Sequence, residues 1–292
     1  MVSIIAALAM PIFSGRLSVD DHSRACAGMM YVYPVVSRRA GGVSVGINLN
    51  PNNACNWRCI YCQVVDLKRG GPPPIDLPRL ANELDEMLDA ILVGDFMARR
   101  VPEEARRLID IAFSGNGEPT SAAEFPQAVA IAAQALANRQ LTASVKLRLI
   151  TNGSLLDRRN AQAGIAALGE AGGEVWFKID AATEAGIART NSSRVKPASV
   201  ARRLRTCAGL CATWAQTCLF ALDGKLPDEA ELAALIDFLA NHRDCLRGVY
   251  LYGLARPSAQ PEAGRLTSAP ADWLNGVADR LRQKGLTVIV SP

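Results

Sequence analysis

The sequence predicts an α/β fold: a partial (β/α)6 barrel spanning residues 43–292, preceded by an irregular N-terminal extension, residues 1–42. Three observations carry this prediction. Strand-like and helix-like segments alternate from residue 43 onward without repeat or low-complexity tract, the pattern of right-handed βαβ units. Candidate strands are apolar on one face and polar on the other. The polar motifs also fall at the C-terminal ends of strands, where parallel α/β folds gather function.

The extension contains Tyr31-Val32-Tyr33-Pro34-Val35-Val36-Ser37-Arg38-Arg39 but no sustained period. Strands are expected at 43–49, 108–114, 145–151, 174–180, 217–222, 248–254 and 286–290. Helical periodicity covers 77–92, 123–137, 160–171, 199–210, 228–241 and 271–284. Six or seven such units fall short of the eight that close a full barrel, so the sheet is expected to stay open. In the first strand Val43, Val45, Ile47 and Leu49 share one face; Ser44, Gly46, Asn48 and Asn50 share the other. In the fourth, Val175, Phe177 and Ile179 oppose Trp176, Lys178 and Asp180. Helices cover the outside of a parallel barrel, so the polar faces are expected to line a wet lumen. Pro72-Pro73-Pro74 makes a stiff connection into the first helix.

At 292 residues, with 49% hydrophobic and 21% charged side chains, the chain can bury a sizeable core. A net charge of +4 neither requires nor excludes a nucleic-acid partner. Eight cysteines in a long, core-forming chain do not read as a disulfide framework. The apolar run 2–13 lacks a basic flank and is broken by Pro11, which argues against a signal peptide, and no stretch is long enough to span a membrane. A cytoplasmic protein is expected.

The chemistry concentrates in Cys55-x3-Cys59-x2-Cys62. Three thiolates on one loop, with no His and no second pair downstream, suit a [4Fe–4S] cluster better than a closed zinc site. Three protein ligands leave one iron open to a small chelating molecule. Downstream, Ser114-Gly115-Asn116-Gly117-Glu118-Pro119-Thr120 follows the second strand, its glycines letting backbone approach a ligand. Thr151-Asn152-Gly153-Ser154 ends the third strand with short hydrogen-bonding side chains; alone it also reads as an ordinary Asn-Gly turn. Lys178 and Asp180 share a face of the fourth strand, either as a structural ion pair or with the ammonium serving a ligand anion or forming a Schiff base. Asn191 is a candidate polar contact or a solvated loop residue. Tyr250, Tyr252 and Arg256 line one face of the sixth strand, as core or as a stacking surface. Cys207, Cys211 and Cys218 read as buried thiols rather than as a second cluster.

These motifs together resemble the radical S-adenosylmethionine (SAM) superfamily. Cys55, Cys59 and Cys62 with Tyr61 match its C-x3-C-x-Φ-C pattern, Gly115–Pro119 its G-G-E-P segment with Asn116 in place of the second glycine, and Thr151-Asn152-Gly153 its T-N-G segment. Pro34–Arg39, Gly46–Leu49 and Cys55–Gln63 are similar to Fe–S oxidoreductases related to the wyosine-tRNA synthetases.

The resemblance implies a partial barrel holding one [4Fe–4S] cluster on Cys55, Cys59 and Cys62. It implies SAM bound by Tyr61, Gly115, Asn116, Gly117, Glu118, Pro119, Thr151, Asn152, Ser154 and Asn191, with Lys178 and Asp180 as candidate catalytic groups. The implied reaction is reductive SAM cleavage to methionine and a 5′-deoxyadenosyl radical that abstracts hydrogen from a small-molecule or nucleoside substrate. Electrons would come from a donor such as flavodoxin or ferredoxin. Alternatives are a tRNA-modifying enzyme, favoured by a basic rim at Arg38, Arg39, Lys68 and Arg69, and a non-enzymatic redox sensor.

Overall fold

The computed structural model describes residues 16–17, 29–37 and 41–291; Cys26, Arg38 and Arg39 lie outside the described residues. In chain order the strands are β1 (Val32–Ser37), β2 (Gly42–Ile47), β3 (Ala54–Cys55), β4 (Lys68–Arg69), β5 (Leu108–Phe113), β6 (Lys146–Thr151), β7 (Glu174–Lys178), β8 (Ala212–Cys218), β9 (Phe220–Leu222), β10 (Val249–Tyr252), β11 (Leu266–Ser268) and β12 (Val288–Ser291). The α-helices are α1 (Leu77–Leu92), α2 (Phe96–Arg100), α3 (Phe125–Asn138), α4 (Arg159–Glu170), α5 (Glu184–Asn191), α6 (Pro197–Leu210), α7 (Glu229–Ala240) and α8 (Ala271–Gln283).

The main sheet runs β1-β2-β5-β6-β7-β8-β10-β12. Every neighbouring pair is parallel except β1–β2, and among the described residues β1 and β12 are the edges. The predicted incomplete barrel is therefore borne out. Helix α1 shows why the segments fold as they do: Asp76 caps its N-terminus by accepting from the Arg79 amide at 3.0 Å, and Pro78 sits in its first turn. Its buried stripe of Leu80, Leu84, Met87, Leu88 and Ile91 faces the sheet side of the core. Val43, Val45 and Ile47 of β2 are fully buried in the same core.

Three details differ from expectation. Part of the N-terminal extension is regular: β1 pairs antiparallel with β2 from Val32↔Ile47 to Ser37↔Gly42. Pro34 is tolerated there because β1 is an edge strand that need not donate on its free side. The strand expected at 217–222 begins earlier, at Ala212, and breaks before Phe220. An unexpected two-turn helix, α5, runs from an N-cap at Thr183 to Ser192 in the left-handed conformation (φ 49°).

Alternating inward residues line one cavity of about 300 Å³: Ser44; Asp110, Ala112 and Ser114; Arg148, Ile150 and Asn152; Trp176 and Lys178; Gln216 and Cys218; Tyr252. The lumen is polar, as the strand periodicity predicts. Its buried charges are paired. Arg148 donates to Glu174 at 2.6 Å and to Asp110, which also accepts from Ser44, and the guanidinium lies 4.9 Å from the centre of the Trp176 ring. No helix of the described residues is long and apolar enough to cross a membrane.

Candidate functional site

The loop carrying Cys55, Cys59 and Cys62 leaves the C-terminal end of β2 and closes over the cavity, which all three cysteines line. Four neighbouring segments grip it, one of them, the turn after β6, through Asn56. The first is the turn after β5, which meets an asparagine-rich approach. Asn48 Oδ1 accepts from the amides of Asn50 and Asn116, both at 3.0 Å; Asn116 Nδ2 donates to Asn53 Oδ1 at 2.6 Å; Asn50 Nδ2 donates to the Ala54 carbonyl at 2.9 Å. Gly115 has φ +140°, a conformation that favours glycine. A Cβ on Gly117 would lie 2.0 Å from the Ala54 carbonyl oxygen.

The second grip is the C-terminus of α5. The carbonyls of Thr190 and Asn191 accept from the amides of Ile60 (2.9 Å) and Arg58 (3.3 Å), satisfying helix-end acceptors with loop donors. Arg69 adds bonds of 2.6 Å to the carbonyls of Asn56 and Ser192. The third is the segment after β10. Ser258 Oγ donates to the Ile60 carbonyl at 2.7 Å, Gln260 Nε2 to the Val64 carbonyl at 2.9 Å, and Glu262 holds Arg58 through a two-pronged pair at 2.7 and 2.8 Å.

Glu118 braces the two motif turns against each other. Oε1 accepts from Thr120 Oγ1 (2.7 Å) and Thr151 Oγ1 (2.6 Å), and Oε2 from the Asn152 amide (2.7 Å). Burial raises its pKa, opposed by these donors. Glu118→Gln turns one accepting oxygen into a donor facing donors. The expected cost is roughly 1–3 kcal/mol of stability, read as a lower Tm in thermal unfolding. Asn152 and Ser154 clamp the cysteine loop through Asn56, at 2.9 Å to its Oδ1 and 2.6 Å from its Nδ2.

Asp180 lies behind the lumen wall, its side chain fully buried. It accepts from Tyr61 OH (2.6 Å), Asn191 Nδ2 (2.9 Å) and the Cys218 amide (3.0 Å). Lys178 is 3.9 Å from Asp180 but 3.0 Å from Tyr252 OH, with its ammonium 5.0 Å from the centre of the Tyr61 ring. Burial penalises the lysine's charged form, yet Asp180, with Tyr252, Cys59 and Cys218, outweighs that and raises its pKa. The raised pKa favours the ammonium over the neutral amine that Schiff-base formation needs.

Tyr61, Gly115, Asn116, Gly117, Glu118, Asn152 and Lys178 border the cavity. The remaining predicted contacts stand back from it. Pro119 and Thr151 are buried in the turns, Ser154 is in the Asn56 clamp, and Asn191 is 2% exposed, engaged with Asp180 and Cys59 instead of solvated or free for a ribose. Tyr250 is wedged between Trp176 and Trp214 at centroid distances of 4.4 and 4.8 Å, a core stack, while Tyr252 and Arg256 face the cavity. Cys207 and Cys211 are buried around α6, whereas Cys218 faces the lumen, so these three do not assemble. The sequence reading placed Asn48 and Asn50 on the polar face of the first strand without their bracing role, and missed the parts played by Asn53, Asn56 and the lumen pair Asp110 and Arg148. The run Asn48-Leu49-Asn50-Pro51-Asn52-Asn53 was their one visible signal.

The cysteine set fits a [4Fe–4S] cluster. None of the three is disulfide-bonded. A cubane carries its irons at separate corners and takes one thiolate at each, which suits three cysteines spaced along one loop. Donors already point at two sulfurs: the Trp57 amide at 3.5 Å from Cys55 Sγ and Asn191 Nδ2 at 3.3 Å from Cys59 Sγ. Burial pushes the thiols up, Cys55 to about 11 and Cys59 to about 12, so iron must displace their protons to bind.

No family model matches the chain. A segment of 134 residues, 45% of the chain, is 28% identical to the GTPase Obg of Brachyspira hyodysenteriae, of which it spans 17%. The sole Gly-Lys pair, Gly224-Lys225, is followed by Leu226 rather than the Ser or Thr of a phosphate-binding loop. Among solved structures, a radical SAM methyltransferase from Sphaerobacter thermophilus is similar over 86% of this chain and 66% of its own, just under two thirds, with TM-score 0.58 and 15% identity. TYW1, bearing a lysine–pyruvate adduct, is similar over 84% of this chain and 74% of its own, with TM-score 0.56 and 16% identity. The chain has the fold of the partial radical SAM barrel.

Proposed function

We propose that the chain is a single-cluster radical SAM enzyme, with Cys55, Cys59 and Cys62 holding a [4Fe–4S] cluster at the mouth of the barrel and SAM lying across the ends of β5, β6 and β7. The observation that carries this reading is the cysteine loop braced over a polar cavity. When bound, cluster and SAM supply one-electron cleavage to a 5′-deoxyadenosyl radical that abstracts hydrogen from substrate.

The residues of the chain do the rest. The turns at Gly115–Glu118 and Asn152 border the cavity beside the cysteine loop. Lys178, held as a cation beside Tyr252, supplies a fixed positive charge for a carboxylate of SAM or substrate. Asp180 is a positioning residue. Its three other donors remain when Lys178 is changed, so Lys178→Met is expected to leave Tm nearly unaltered while 5′-deoxyadenosine yield falls severalfold. A collapse in Tm with unaltered yield per folded molecule would assign Lys178 to the fold.

A small-molecule or nucleoside substrate suits a lumen of about 300 Å³. Of the basic rim that would favour tRNA, Lys68 is exposed, the Arg69 guanidinium is engaged by Asn56 and Ser192, and Arg38 and Arg39 lie outside the described residues. A redox sensor would need no polar lumen of this size. An oxygen-sensitive cluster suits a reducing cytoplasm, with a flavodoxin- or ferredoxin-like donor. The test is equilibrium SAM binding to anaerobically reconstituted protein. One SAM per cluster is expected, and no binding to a loaded cluster would overturn the reading.

A further inference from the structure

Asn191 is the last residue of α5, 2% exposed, and its side chain faces the cysteine loop rather than water. Its Nδ2 lies 3.3 Å from Cys59 Sγ and 2.9 Å from Asp180 Oδ2. An amide nitrogen carries two hydrogens, one for each partner. Chemistry also fixes which way the amide points, because an ionised carboxylate only accepts and so must face nitrogen. Asp180 cannot turn away, since Tyr61 OH at 2.6 Å and the Cys218 amide at 3.0 Å hold it. The same helix end fixes the backbone on both sides of Cys59 through the Arg58 and Ile60 amides. Sulfur and donor are therefore held at their separation by backbone bonds around Cys59 and by Asp180 behind the amide.

We propose that Asn191 is a positioning residue that donates an N–H···S hydrogen bond to the Cys59 ligand and raises the reduction potential of the cluster, with Asp180 aiming its amide. This rests on the reading that Cys55, Cys59 and Cys62 hold a cluster. The reduced cluster carries one more negative charge, partly on its sulfurs, so an N–H dipole aimed at sulfur stabilises it more than the oxidised form. The bond makes one-electron reduction by a given donor more favourable. It forms or breaks no covalent bond.

The test uses reconstituted protein without SAM, reduced stepwise with dithionite and followed by electron paramagnetic resonance. Wild type is compared with Asn191→Leu, which keeps the volume and deletes the donor, and Asn191→Ser, which keeps the site polar but is too short to reach the sulfur. At equal iron content both variants are expected to be harder to reduce by about tenfold in the equilibrium constant, about 59 mV for one electron. Equal potentials at equal iron content overturn the proposal while leaving the cluster reading intact. If Asn191→Leu fails to load, Asn191→Ser decides alone. Wild-type protein that takes up no iron overturns the cluster reading and this proposal with it.

Discussion

Anaerobic reconstitution of the wild-type protein is expected to give about four irons per chain, as one cubane requires, and the Cys55→Ala/Cys59→Ala/Cys62→Ala variant almost none. The contrast should be nearly complete, because Cys207, Cys211 and Cys218 do not assemble. Cys207 and Cys211 are held in the core by short-range contacts, Thr213 Oγ1 to Cys207 Sγ at 3.5 Å and Cys211 Sγ to the Gly173 carbonyl at 3.4 Å. Burial pushes their thiols up to about 12 and about 11, as it does those of Cys59 and Cys55, so placement rather than acidity sets them apart: they lie buried around α6 while Cys218 faces the lumen. Iron analysis with sulfide quantitation checks this. A value near eight irons would mean a second cluster that this geometry does not provide.

Gly117→Val is expected to remove the cluster indirectly, by displacing the cysteine loop. The sequence suggests a milder result, blocked SAM with the cluster intact, since a glycine in a strand-end turn reads as room left for a ligand. In the structure that room belongs to the protein. A Cβ at Gly117 meets the Ala54 carbonyl at 2.0 Å and the Asn50 side chain at 2.6 Å, immediately before Cys55. A backbone carbonyl cannot rotate away as a side chain can, and valine adds two more methyl groups. Overpacking of this kind costs roughly 1–3 kcal/mol or more. Lower iron incorporation together with a reduced Tm is the expected signature. Full iron content with lost SAM binding would restore the ligand-contact reading.

Much of this was legible because period and punctuation agree. The segment 77–92 carries an apolar stripe behind Asp76 and Pro78, and α1 spans the same residues. The cysteine spacing located the loop without any structure. What stayed hidden had physical reasons. Pro34 disguised β1, since a proline argues against a strand unless that strand lies at an edge. Polar lumen residues such as Gln216 diluted the apolar signal of β8 and shifted its apparent start. Helix α5 has only eight residues, too few to display a period. Side-chain partners were least visible: spacing puts Lys178 and Asp180 on one strand face, yet β7 ends at Lys178, and Asp180 serves Tyr61 and Asn191 more closely than Lys178. Such long-range pairing leaves no trace in local spacing.

The central claim, that this loop and cavity cleave SAM, is tested most directly by incubating reconstituted, dithionite-reduced protein with SAM and measuring 5′-deoxyadenosine and methionine by chromatography. The account predicts both products in equal amounts, formed slowly even without substrate and lost in the triple cysteine variant. A cluster that loads and reduces fully yet yields no 5′-deoxyadenosine would contradict it.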